Sequence, residues 1–141
     1  MNRFFQKVLI AVLAIIVCGA SSLRAQSVNM DRYMTITVKQ GASINFSMWA
    51  DAADTQVKIV SGSNEQTIPV DASWTAMNDY VAGATTIKIY GNVLKLNCFR
   101  NGLNVTGLDV SHNTQLQELN CYSNYLTRYK WKYTIGAVEL L

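Results

Sequence analysis

From Asp31 to Val70 the apolar and polar positions alternate with period two. Met34, Ile36 and Val38 alternate with Thr35, Thr37 and Lys39, Gln40-Gly41 marks a turn, and Ile44, Phe46 and Met48 alternate again. This reads as a β-hairpin. A second hairpin is expected from Gln56 to Val60 and Gln66 to Val70, joined through Ser61-Gly62-Ser63-Asn64. A polar stretch around Trp74 to Gly83 then leads into a strand from Thr85 to Tyr90. After the N-terminal apolar run, no long segment carries helical periodicity, so the chain is read as mainly β.

From Ile87 to Asn124 one phrase is written four times. It consists of an aliphatic residue, any residue, then Ile, Cys or Val, two variable residues and Asn. The copies begin at Ile87, Leu96, Leu108 and Leu119 and end at Asn92, Asn101, Asn113 and Asn124. Leu96, Cys98, Asn101 and Leu103 recur 23 residues on as Leu119, Cys121, Asn124 and Leu126, and Ile87, Ile89 and Asn92 recur after 21 as Leu108, Val110 and Asn113. Self-similarity at about 20–29 residues with L-x-L-x-x-N is the pattern of a leucine-rich repeat, whose units bury apolar residues only by stacking on neighbours.

In an extended phrase the side chains alternate faces, so Leu96 and Cys98 point inward while Lys95, Asn97 and Phe99 point outward. At the end of each strand an Asn carries both an acceptor and donors for backbone groups that the turn leaves unpaired. Cys98 with Cys121, and Asn101 with Asn124, are therefore expected to form structural ladders. The equivalent outward positions Lys95 with Glu118, Asn97 with Asn120, and Phe99 with Tyr122 form the candidate binding face. Lys95 with Glu118, and Lys88 with Asp109, are expected side by side on neighbouring strands with opposite charge.

These phrases resemble the repeats of bacterial secreted and surface leucine-rich-repeat proteins of internalin type, which read L-x-x-L-x-C-x-x-N-x-L-T-x-L-D-V-S-x-N-T. Leu119 to Thr127 and Leu108 to Thr114 carry the match, with Cys98 and Cys121 in the cysteine-ladder position. The resemblance covers residues 85–127, about two repeats, and Asn104 and its neighbours lengthen one of them. It implies a short solenoid in an exported or surface-displayed binding protein. A solenoid needs its first repeat covered, so residues 26–84 are read as a β-rich N-terminal cap.

The N-terminus supplies the export route. Arg3 and Lys7 precede an apolar run from Val8 to Val17, and small residues follow as far as Ala25, so residues 1–25 read as a signal peptide. The run is too short to span a bilayer, so no transmembrane span is expected in the mature chain. Cys18 raises a lipoprotein alternative, but Val17 stands where a small residue is expected before a lipidated cysteine.

Export also changes the charge. Of 12 Lys and Arg, three leave with the signal, and 12 − 3 = 9 remain against 9 acids. The mature chain is near neutral, which argues against a nucleic-acid partner. Two cysteines and the lone His112 do not make a metal-ligand set, and no cofactor-binding phrase is present. Equivalent positions on stacked strands point their side chains in parallel, which is poor disulfide geometry.

After Thr127 the phrase breaks off, and residues 128–141 are read as a closing strand or tail. Tyr129, Trp131 and Tyr133 are expected to pack on the last repeat, with Arg128, Lys130 and Lys132 in water. The only histidine lies in a repeat turn and the acids show no paired spacing, so the chain is not read as an enzyme. The expected function is binding of a protein or glycan partner at the cell surface. The alternative is a truncated, non-binding paralogue of a longer leucine-rich-repeat protein, suggested by the loss of pattern at Arg128.

Overall fold

The computed structural model describes residues 26–131 and the backbone of 137–139. Residues 1–25, read from the sequence as a signal peptide and including Cys18, and Lys132 and Tyr133 of the tail, lie outside the described residues. The strands are β1 (Tyr33–Val38), β2 (Ser43–Ala50), β3 (Thr55–Ser61), β4 (Asn64–Val70), β5 (Asn78–Val81), β6 (Thr86–Tyr90), β7 (Val93–Asn97), β8 (Val105–Asp109), β9 (Glu118–Asn120), β10 (Arg128–Lys130) and β11 (Ala137–Glu139). They form two mixed, open sheets in the orders β10-β8-β1-β6-β3-β4 and β11-β9-β7-β2-β5. Among the described residues there is no helix.

The alternation in the first half follows from burial on one face of each strand. Met34, Ile36 and Val38 of β1, and Ile44, Phe46 and Met48 of β2, all point into the interior between the sheets. Each fully buried side chain of this size contributes roughly 1.5–3 kcal/mol. The two strands are not a hairpin, however, because β1 lies in one sheet and β2 in the other. Gly41, at φ 82°, takes the chain from one sheet to the other through an exposed turn, and its N–H donates to the Ala82 carbonyl at 2.7 Å. Alternation specifies which face is buried but not which strand lies alongside, and an arch satisfies it as well as a hairpin. The expected second hairpin does form, from Thr55↔Val70 to Ser61↔Asn64.

From β6 onward successive strands alternate between the two sheets. β9 pairs in parallel with β7, and Leu96↔Leu119 realises the 23-residue spacing. The 21-residue spacing behaves differently. β1 lies antiparallel between β6 and β8, so Thr35 faces Lys88 on one side and Asp109 on the other. Lys88 and Asp109 are therefore not neighbours, contrary to the sequence expectation. The N-terminal region enters the repeat sheets because β1 supplies the edge pairing that β6 and β8 would otherwise have found in each other.

The strand array also runs past Thr127. β10 pairs in parallel with β8 in the register Tyr129↔Leu108 and Lys130↔Asp109, and β11 pairs in parallel with β9. Tyr129 thus repeats the 21-residue step from Leu108, which follows Ile87 by the same step. Of the three tail rings expected to pack on the last repeat, Tyr129 and Trp131 are described, and they are exposed. Tyr129 is 55% and Trp131 40% exposed, and they stack on each other at 4.8 Å between ring centroids.

Candidate functional site

The outer face of the sheet containing β2, β7 and β9 brings the outward repeat positions together. Lys95 and Glu118 are register partners on the parallel strands, and their side chains form an ion pair at 3.1 Å. Asn97 and Asn120 are partners in the same ladder. One step further on, the rings of Phe99 and Tyr122 lie 5.3 Å apart between centroids. The six residues thus stand as matched rows, because residues two apart share a face and neighbouring strands lie about 4.8 Å apart.

Two residues not singled out from the sequence join this surface. Trp49 of β2 is the register partner of Lys95, whose Nζ lies 4.4 Å from the centroid of its ring. Trp74 meets Trp49 edge-on at 6.1 Å and lies 5.9 Å from the same ammonium. A cation over ring faces adds roughly 0.5–1 kcal/mol at an exposed site. Trp49 continues the outward alternation of Asn45 and Ser47, but only the β2–β7 pairing connects it to Lys95. On the same face, Asn97 Oδ1 accepts the Phe99 N–H at 3.3 Å, whereas the buried Asn120 Oδ1 has no hydrogen-bond partner among the described residues. A buried acceptor without a donor costs free energy.

Beneath the face lie Cys98, Cys121, Asn101 and Asn124. Cys98 and Cys121 are buried and are not joined by a disulfide. Burial, reinforced by Cys121, pushes the Cys98 thiol far above its ordinary range, and burial pushes Cys121 up to about 11. Asn101 Oδ1 accepts the Asn45 N–H at 2.8 Å and Asn124 Oδ1 accepts the Asn101 N–H at 2.9 Å. Asn113 is buried in the same manner, donating to the Val93 carbonyl at 2.7 Å and accepting from Arg32 Nε at 3.0 Å.

Three of the four phrase copies turn through a positive φ just before their Asn, and the copy ending at Asn113 does not. The residue before Asn is in the left-handed region in three copies, Gly91 at φ 133°, Arg100 at 59° and Ser123 at 57°. On the other sheet His112 stacks on Tyr33 with centroids 4.4 Å apart. Burial pushes the Asp109 carboxyl upward, but the Ser111 hydroxyl and N–H, with Lys130 and His112, outweigh it and hold the group below its usual range. Among the described residues no group of three or more His, Cys, Asp and Glu could hold a metal ion.

No family model, no curated protein and no solved structure matches this chain.

Proposed function

We propose that the chain is an exported binding module of leucine-rich-repeat type, in which β6 to β11 form a short solenoid and the β2–β7–β9 face meets a protein or glycan partner. The observation that carries this reading is the matched rows Lys95–Glu118, Asn97–Asn120 and Phe99–Tyr122 on adjacent parallel strands 23 residues apart. Catalysis would need a positioned base near a nucleophile, whereas this surface offers rings and amides at regular spacing. Such residues suit contact with a sugar ring or a polar protein surface. Trp49 and Trp74 widen the face beyond two repeats, which bears on the area of about 800 Å² that a stable partner needs.

The truncated-paralogue reading has less support. The change at Arg128 is one of side-chain type, since β10 keeps the register of β8.

The test is binding of the mature chain to an array of glycans and surface proteins, compared with a Phe99→Ala/Tyr122→Ala double variant. Retention by the parent and loss in the variant, both folded, is expected. Equal retention by the two would overturn the assignment of this face.

A further inference from the structure

We infer that the groove between the free edges of β4 and β5 is a second binding site, which takes a short extended peptide segment carrying a Lys or Arg side chain. It uses none of the residues of the β2–β7–β9 rows and does not depend on that reading.

The groove has a volume of about 430 Å³, within the size range of ligand clefts. Its floor is apolar, made by Ile59, Ile87 and Tyr80, which are themselves buried. Each wall is the outermost strand of a sheet, and among the described residues no strand pairs with β4 or β5 on its outer side. At one end Asn64 Nδ2 donates to the Val81 carbonyl at 3.1 Å, tying the two walls together.

Strand parity shows which backbone groups face the groove. Ala82 donates to the Ala42 carbonyl and accepts from Gly41, so it faces β2. By alternation Tyr80 also faces β2, and Asp79 and Val81 turn their N–H and C=O groups outward. The Val81 carbonyl on Asn64 agrees with this parity.

On the opposite wall, the two-residue turn with Gly62 at φ 62° makes Ser61↔Asn64 the bonded pair that closes the hairpin. Glu65, Thr67 and Pro69 then turn away from β3. Pro69 lacks an N–H, and only this parity lets it sit in the strand without breaking a ladder bond. Apart from the Val81 carbonyl, which Asn64 takes, both walls therefore turn outward backbone donors and acceptors that no strand pairs among the described residues, the arrangement by which an extended peptide adds to a sheet edge.

The sign of the ligand follows from the lining. It contains Glu65 and Asp79 and no Lys or Arg. Lys58 neutralises Glu65 at 2.6 Å, while among the described residues Asp79 holds only an uncharged partner, Asn45 Nδ2, at 3.0 Å. Asp79 is the carboxylate placed to receive a cation beside the outward backbone of β5.

The experiment titrates the isotopically labelled mature chain with a capped peptide of alternating Val and Lys, and with the same peptide bearing Glu for Lys, following amide resonances. Saturable shifts at Glu65, Asp79 and Val81 with the Lys peptide are expected, with the Glu peptide weaker by at least about tenfold, since like charges oppose one another. Asp79→Asn is expected to weaken the Lys peptide by about fivefold or more; should that variant fold poorly, the two peptides on the parent chain still decide. No saturable shift, equal affinity for the two peptides, or shifts confined to Phe99 and Tyr122 would each overturn the proposal, and the last would leave the β2–β7–β9 reading standing alone.

Discussion

Asn124 reaches back one repeat to Asn101. Its Oδ1 accepts the Asn101 N–H at 2.9 Å, and its Nδ2 donates to the carbonyls of Cys98 at 2.9 Å and Cys121 at 2.8 Å. Asn101 repeats the device on Asn45, accepting its N–H at 2.8 Å and donating to its carbonyl and that of Cys98, each at 2.9 Å. Two amides thus tie the end of β7, the turn after β9 and the middle of β2. A primary amide can do this because it accepts and donates at one site, which neither a carboxylate nor a hydroxyl does in the same geometry.

Replacing either asparagine by Ala strands several buried backbone groups and should lower the unfolding free energy by about 1–3 kcal/mol. The Asp variants are the sharper comparison. They keep the acceptor but lose both donors and place a charge against the Cys98 carbonyl, so they should recover nothing relative to Ala. Urea unfolding of Asn101→Asp and Asn124→Asp with unchanged midpoints would mean that the donated bonds carry no weight.

Charge coupling should follow the observed pairing and ignore the repeat arithmetic. A double-mutant cycle on Lys95 and Glu118 is expected to give about 0.2–1 kcal/mol, falling with salt. The same cycle on Lys88 and Asp109 should give a value within error of zero. With β1 between them their strands are about 9.6 Å apart, close to the Debye length at 0.1 M salt. Coupling of Lys88 to Asp109 as large as that of Lys95 to Glu118 would contradict the placement of β1.

Arg100 and Ser123 sit at φ 59° and 57°, where a side chain with a Cβ is strained. Ser123→Gly and Arg100→Gly should therefore be neutral or stabilising, by up to about 1 kcal/mol, because relief of strain offsets the added freedom of the unfolded chain. Ser123→Val should cost about 1–2 kcal/mol, since a β-branched residue is the least tolerant of this region. Thermal melts that rank Val above Gly at Ser123 would refute the backbone reading.

The sequence made the buried columns and the asparagine bonds legible because both are written in residue type and spacing. Leu96 and Leu119 had to face one way, and Asn101 and Asn124 had to end their strands. The partner of each strand was not legible. Alternation in β1 is satisfied equally by pairing with β2 or by crossing to the opposite sheet, and nothing local to Tyr33–Val38 distinguishes the two. The same gap hid Trp49 from the face, since its connection to Lys95 exists only through the β2–β7 pairing. The step to Tyr129 was missed because an aromatic and a cation replace the aliphatic and acidic residues of Leu108-Asp109, although the 21-residue spacing is kept.

Cys98 and Cys121 connect burial to pH. Both thiols have folded-state pKa values raised by burial, Cys121 from an ordinary 9.0 to about 11 and Cys98 further still. A group whose pKa is raised on folding stabilises the folded state fully below its unfolded pKa, and that stability is lost as pH rises toward the folded pKa, because the unfolded chain gives up the proton first. Unfolding free energy should therefore fall from about pH 9 upward, and the part owed to the thiols should be absent from a Cys98→Ala/Cys121→Ala variant. Lys and Tyr also titrate there, so the informative quantity is the difference between parent and variant in urea midpoint at pH 7.5 and pH 10. The variant should be less stable than the parent at pH 7.5 through lost packing, with the gap narrowing at pH 10. Alkylation offers an independent check at pH 8. Since the thiolate is the reacting species and both sulfurs are buried, iodoacetamide should leave the native chain unmodified and label both cysteines in urea. Labelling of the native chain, or a gap between parent and variant that widens at pH 10, would show that the cysteines are not the inert core rungs described here.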